Sequence, residues 1–220
     1  MNDPQPQSPL LLDFYERYLE DHDIAGYLRQ ITLRYGLGTL ERLVATGEPL
    51  ARRGAVLALG RLADYRSNAV LGRALSDLDR GVRTLAELAI GKVWLRVGAA
   101  AHQRRLAAVD EQLECGEYDR ASQLASKLIQ EAPWIAQSWY QRGKAFFQLG
   151  QFSAAIRDCH QALEINAYHF PAATVMGRAC EMQRDLISAL EAYRRALRLN
   201  PSLEDVRARV IHLQRMLKKE

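Results

Sequence analysis

The chain has 220 residues, 48% of them hydrophobic and 25% charged, with a net charge of +4 at neutral pH. These are the proportions of an ordinary soluble protein. No apolar run approaches the roughly 18 residues of a membrane span, no basic and apolar leader opens the chain, and the mild basic excess contains no block of five cations, so neither a membrane protein nor a dedicated nucleic-acid binder is expected and the default location is cytoplasmic.

The first nine residues, MNDPQPQSP, are polar and proline-rich and are predicted to be disordered. Residues 10–35 predict two helices, with Asp23 as N-cap of the second. Leu12, Tyr15, Tyr18 and Leu19 form an apolar face suited to closing the end of a stack. Residues 36–100 hold a repeat of period 31. ARRGAVLALGR at 51–61 aligns with VRTLAELAIGK at 82–92, so that Ala55 falls on Ala86, Ala58 on Ala89 and Gly60 on Gly91. Between the copies lie a short helix and an acidic turn, Asp77-x-Asp79-x-x-Val82-Arg83. Asp77 is expected to cap the next helix and Arg83 to tie neighbouring turns. The turn resembles those of HEAT-like repeats, in particular the short bacterial type of phycobilisome lyases.

From His102 onward the period changes to 34. AQSWYQRGKAFFQLGQFSAAIRDCHQALEINAYH at 136–169 aligns with FPAATVMGRACEMQRDLISALEAYRRALRLNPSL at 170–203, and a fainter copy fills 102–135. Gly143, Ala155, Ala162 and Asn166 fall on Gly177, Ala189, Ala196 and Asn200. The interval fits two helices of roughly 14 residues and two turns, a hairpin that cannot bury its own apolar face and must stack. Trp139, Gly143, Phe146, Gly150, Phe152, Ala155, Cys159 and Ala162 resemble the signature of the tetratricopeptide repeat, with Ala167 in place of its proline. The last copy has Ala173 for the tryptophan and Arg184 for the turn glycine. Val206, Val210, Leu213 and Leu217 recur at helical spacing in residues 204–220, which read as a terminal capping helix.

The fold expected is therefore an all-α, right-handed helical-repeat solenoid of eleven or twelve helices: HEAT-like units, three tetratricopeptide-like hairpins (102–135, 136–169, 170–203, within 101–203) and a capping helix. Its overall arrangement resembles bacterial proteins that combine both modules. Trp94 and Leu95 are expected to pack where the two arrays join into one body.

Chemistry-bearing motifs are missing. The chain has no GxxxxGK[ST], HExxH or GxSxG, and Gly36-Leu37-Gly38 lacks the third glycine of a dinucleotide loop. Its five histidines are scattered, and Cys115, Cys159 and Cys180 have no ligand spacing. His160 and Cys159 are adjacent on a helix and point about 100° apart. No catalytic residue, cofactor or metal is assigned, and no enzyme is expected.

Recognition remains. The resemblance implies that the first helix of each repeat lines a concave groove. It assigns there Tyr140, Gln141, Lys144, Phe147 and Gln148 of one copy, and Thr174, Arg178 and Glu181 of the next. Lys144 and Arg178 are equivalent positions, suited to a carboxylate on an extended peptide. The chaperone-tail clamp of the family is absent, since Leu106, Asp110 and Gln141 stand where it uses lysine and asparagine. The expected function is a non-catalytic scaffold or adaptor for a protein or peptide partner. One alternative is nucleic-acid or phosphate binding by Arg52, Arg53, Arg61, Arg66, Arg73 and Arg80. Another, carried only by the lyase-like repeat, is a bilin-lyase-like enzyme or accessory subunit.

Overall fold

A computed structural model describes residues 10–218, so the segment expected to be disordered lies outside the described residues. All regular structure among the described residues is helical: thirteen α-helices and one 3-10 turn. That exceeds the expected eleven or twelve. The chain forms two compact units, one up to Val93 and one from Trp94 onward.

The first unit opens with α1 (Leu10–Asp21) and α2 (Ile24–Arg34). Asp23 caps α2 as its position predicts, accepting the Gly26 amide at 2.9 Å. The buried face of α1 is rotated from the expected one. Leu11 and Tyr15 are buried, whereas Leu19 is 47% exposed. The reason lies in α4 (Pro49–Leu62), where Gly54 leaves room that only a bare backbone can give. A Cβ there would come within 2.7 Å of Leu11 Cδ2, and the Tyr27 hydroxyl donates to the Gly54 carbonyl at 2.8 Å.

After α3 (Leu37–Thr46) and α4 come a 3-10 turn at Tyr65–Ser67, the short α5 (Asn68–Ala74) and α6 (Arg80–Leu95). Helices α4 and α6 approach until a Cβ at Gly60 would lie 2.7 Å from that of Ala89. The acidic turn before α6 is structural, with its parts assigned differently from the expectation. Asp79, not Asp77, caps α6 through the Val82 amide at 2.9 Å. Asp77 instead receives Arg52 in a bidentate pair at 2.8 and 2.8 Å, while Arg53 makes a second bidentate pair with Asp79 at 2.7 and 2.7 Å. These forked bonds are the geometry that guanidinium and carboxylate favour, and the Arg53 contacts hold the Asp79 carboxyl down to about 2. Arg83 donates to the Asp77 carbonyl at 2.8 Å, a bond within its own turn.

The second unit stacks α7 (Ala100–Glu114) on α8 (Tyr118–Glu131), α9 (Ala136–Gln148) on α10 (Phe152–Ile165) and α11 (Phe170–Met182) on α12 (Leu186–Leu199), and ends with α13 (Glu204–Leu217). The period is visible in the backbone. Gly116, Gly150 and Arg184, spaced by 34, turn the chain within each hairpin at φ +77°, +74° and +65°. Buried Asn166 and Asn200, also 34 apart, accept the Tyr168 amide at 3.1 Å and the Ser202 amide at 3.0 Å, closing the turn that leaves each hairpin. Glycines set the helix spacing. A Cβ at Gly143 would stand 2.9 Å from the Cys159 sulfur, and one at Gly177 would stand 2.6 Å from the Tyr193 ring. Helix α13 closes the apolar core by burying Val206, Val210 and Leu213 against it. No helix among the described residues is long and apolar enough to cross a membrane.

Candidate functional site

An open groove of about 880 Å³ lies on the first-helix side of the second unit. Helix α11 supplies Arg178, Glu181 and Met182, α9 supplies Phe147, and α13 supplies Val206, Arg209 and His212. Its chemistry follows from spacing. Lys144, Arg178 and His212 are separated by 34 residues each, so the period puts one basic side chain on each successive helix of this side. Asp110 holds the equivalent place one repeat earlier, so the series begins with an acid.

Apolar and charged groups alternate on the groove wall. Met182 is 59% exposed, and Phe147 is half-buried with its ring centroid 5.7 Å from that of Phe152. Glu181 is held from two sides. Arg209 Nη1 donates to one carboxylate oxygen at 3.1 Å, and the Tyr193 hydroxyl donates to the other at 2.9 Å. Arg178 is exposed and makes no ion pair among the described residues. Its charge acts on two phenols. Burial raises Tyr140, to about 12 overall, and also raises Tyr193, and Arg178 acts on both in the opposite direction. Lys144 does the same for Asp110, whose carboxyl burial pushes above the usual carboxylate range while Gln141 and Lys144 lower it.

The eight residues assigned to the groove from sequence take different places. Phe147, Arg178 and Glu181 line the cavity together. Lys144 is half-buried beside Asp110, and Gln148 is exposed at the end of α9. Tyr140 packs inward, its ring centroid 4.7 Å from that of His169. Thr174 turns its hydroxyl onto the Phe170 carbonyl at 3.1 Å. Gln141 is fully buried and donates its amide to the Leu106 carbonyl at 3.0 Å, which ties α9 to α7. Met182 lines the cavity too, and Arg209 and His212 complete it without having been assigned to it. His212 was available in the sequence, because the 34-residue register continues from Arg178 into the helix read only as a cap.

Trp94 also lies in this unit. It stacks on His169 with centroids 4.3 Å apart and planes at 13°. His169 is fully buried, with Nε2 at 3.0 Å from Gln137 Oε1 and Nδ1 accepting the Ala172 amide at 3.3 Å. Burial lowers its pKa to about 3 and keeps the ring neutral. Cys159 and Cys180 are buried free thiols, and burial pushes both above the ordinary thiol value. No group of three potential metal ligands occurs among the described residues.

Residues 136–169 match the tetratricopeptide repeat family. Among solved structures, the first such domain of Spaghetti (RPAP3), bound to the HSP90 peptide SRMEEVD, is 23% identical with a TM-score of 0.53, covering 56% of this chain and 97% of that one. The first such domain of human RPAP3 is also 23% identical, with a TM-score of 0.51, covering 54% of this chain and 93% of that one. At these identities the likeness is one of fold. The chain thus carries a tetratricopeptide repeat at residues 136–169, in an all-α protein of helix hairpins.

Proposed function

We propose that the protein is a non-catalytic adaptor whose second unit holds an extended, acidic segment of a partner protein. The observation that carries this reading is the groove between α9, α11 and α13, where Arg178 and His212 stand beside Phe147 and Met182 and continue the 34-residue basic register that Lys144 opens on α9. Cations spaced along a helical face suit carboxylates on an extended chain, and the apolar side chains between them suit an anchoring residue. The fold neighbour that binds an HSP90 peptide supports a peptide ligand in general terms. That ligand is not carried over, because Leu106 and Gln141 are fully buried here and unavailable to a chaperone-tail clamp.

On the same reading, residues 36–100 form HEAT-like units and residues 102–203 form three tetratricopeptide-like repeats. A nucleic-acid surface on the first unit draws less support, since Arg52 and Arg53 are committed to Asp77 and Asp79.

The test is an affinity pull-down from native lysate with wild type beside Lys144→Glu/Arg178→Glu. The expected result is a protein partner recovered by wild type and lost by the double variant. A partner held equally by both would remove the groove from the proposal. Recovery of nucleic acid or pigment instead of protein would overturn the adaptor reading.

A further inference from the structure

Helix α11 has two faces, and the groove described above uses one of them. At 100° per residue, Arg178, Glu181 and Met182 share that face, while Met176, Cys180 and Gln183 point the opposite way. On that opposite face lies a second open groove of about 800 Å³. Its floor is apolar, made by Ile156 of α10, Met176 and Cys180 of α11, and Ala192 of α12. At one end the Gln183 amide donates to the Ser153 hydroxyl at 2.6 Å and ties α11 to the start of α10.

The wall on α12 is basic. Arg194, Arg195 and Arg198 line it, and none of them makes a hydrogen bond or ion pair among the described residues. Two acids also line the groove. Asp185 is spent on capping α12, accepting the Ser188 amide at 3.0 Å, which leaves Glu191 against three guanidiniums. Ile187 is 65% exposed, one turn before Glu191 on the same stripe of α12 as Arg194 and Arg198. An exposed isoleucine, an apolar floor and three cations without partners on one wall form a surface with a definite complement. Arg194 and Arg198 are one helical turn apart, the interval at which a facing helix presents its own carboxylates.

We propose that this second groove docks an acidic amphipathic helix of a partner protein, apolar side chains on Met176 and Ile156 and glutamates on Arg194 and Arg198. The site is independent of the first groove. Occupied together, the two would let α11 bridge two partners, one on each face.

The test uses a fluorescein-labelled synthetic helix with one leucine per turn flanked by glutamates, and a scrambled peptide of the same composition. Fluorescence anisotropy is expected to give saturable binding of the helix to wild type. Arg194→Glu/Arg198→Glu should weaken it by about tenfold or more, while Lys144→Glu/Arg178→Glu should leave it unchanged. The methionine methyls report the groove directly, since Met176 lines the second and Met182 the first. Carbon-13 methyl spectra should move Met176 and leave Met182 in place. Absence of saturable binding, equal binding of the scrambled peptide, or a shift of Met182 in place of Met176 would each overturn the proposal.

Discussion

Arg184 holds a turn conformation that its two counterparts give to glycine. Gly116 and Gly150 adopt φ +77° and +74° at no steric cost, whereas Arg184 at +65° crowds its Cβ against the following carbonyl. Arg184→Gly is expected to raise the stability of the second unit by about 0.5–1 kcal/mol, the roughly 1–2 kcal/mol that this region costs a side chain less the extra chain entropy that glycine loses on folding. A higher urea midpoint with unchanged slope would bear this out. His169 makes a second residue-scale prediction. Its pKa falls from an ordinary value near 6.5 to about 3 in the fold, so the unfolded chain binds a proton that the folded chain refuses. Its contribution is complete above pH 6.5 and is lost progressively as pH falls toward 3, by about 2 kcal/mol between pH 6.5 and 5. In His169→Asn the pH dependence of the urea midpoint over that range should flatten by about one proton. Nothing in the sequence marks His169 among five scattered histidines. Its role comes from the Trp94 ring stacked on it across a separation that no local pattern encodes.

Glycines fix how closely the helices lie, and identical-looking glycines do different work. A Cβ at Gly177 would meet the Tyr193 ring at 2.6 Å, and Tyr193 is too buried to move aside. Gly177→Ala should therefore cost about 1–3 kcal/mol as overpacking. Gly91 aligns with Gly60 in the 31-residue repeat, yet a Cβ there would meet nothing within 4 Å. Gly91→Ala should stabilise α6 by about 0.5–1 kcal/mol through helix propensity. Thermal melts followed by circular dichroism check both signs. The contrast explains what was legible at this scale. Period and hairpin composition placed α7 to α13, and the Asp23 cap marked the start of α2. The roles within the acidic turn were not legible, because a pattern of two aspartates and an arginine does not say which carboxylate caps and which receives Arg52 or Arg53. The burial of Gln141 was hidden for a related reason. A repeat position that faces a groove in one copy can hold a polar group that bridges to its neighbour in another.

Across the whole chain, the three tryptophans, Trp94, Trp134 and Trp139, all lie in the second unit, so tryptophan fluorescence follows that unit alone. Removing residues 204–220 should uncover the core that Val206, Val210 and Leu213 close, at a cost on the order of 5 kcal/mol. Urea denaturation followed by that fluorescence would detect it as an early transition, and an unchanged midpoint would refute the capping role of α13. Four long-range side-chain bonds of this unit share one property. Arg142 reaches Asp158 over 16 residues, Arg209 reaches Glu181 over 28, His169 reaches Gln137 over 32 and Gln141 reaches the Leu106 carbonyl over 35. None of these spans much more than one period. These bonds can therefore close soon after the second partner leaves the ribosome, so synthesis itself sets the order in which they form.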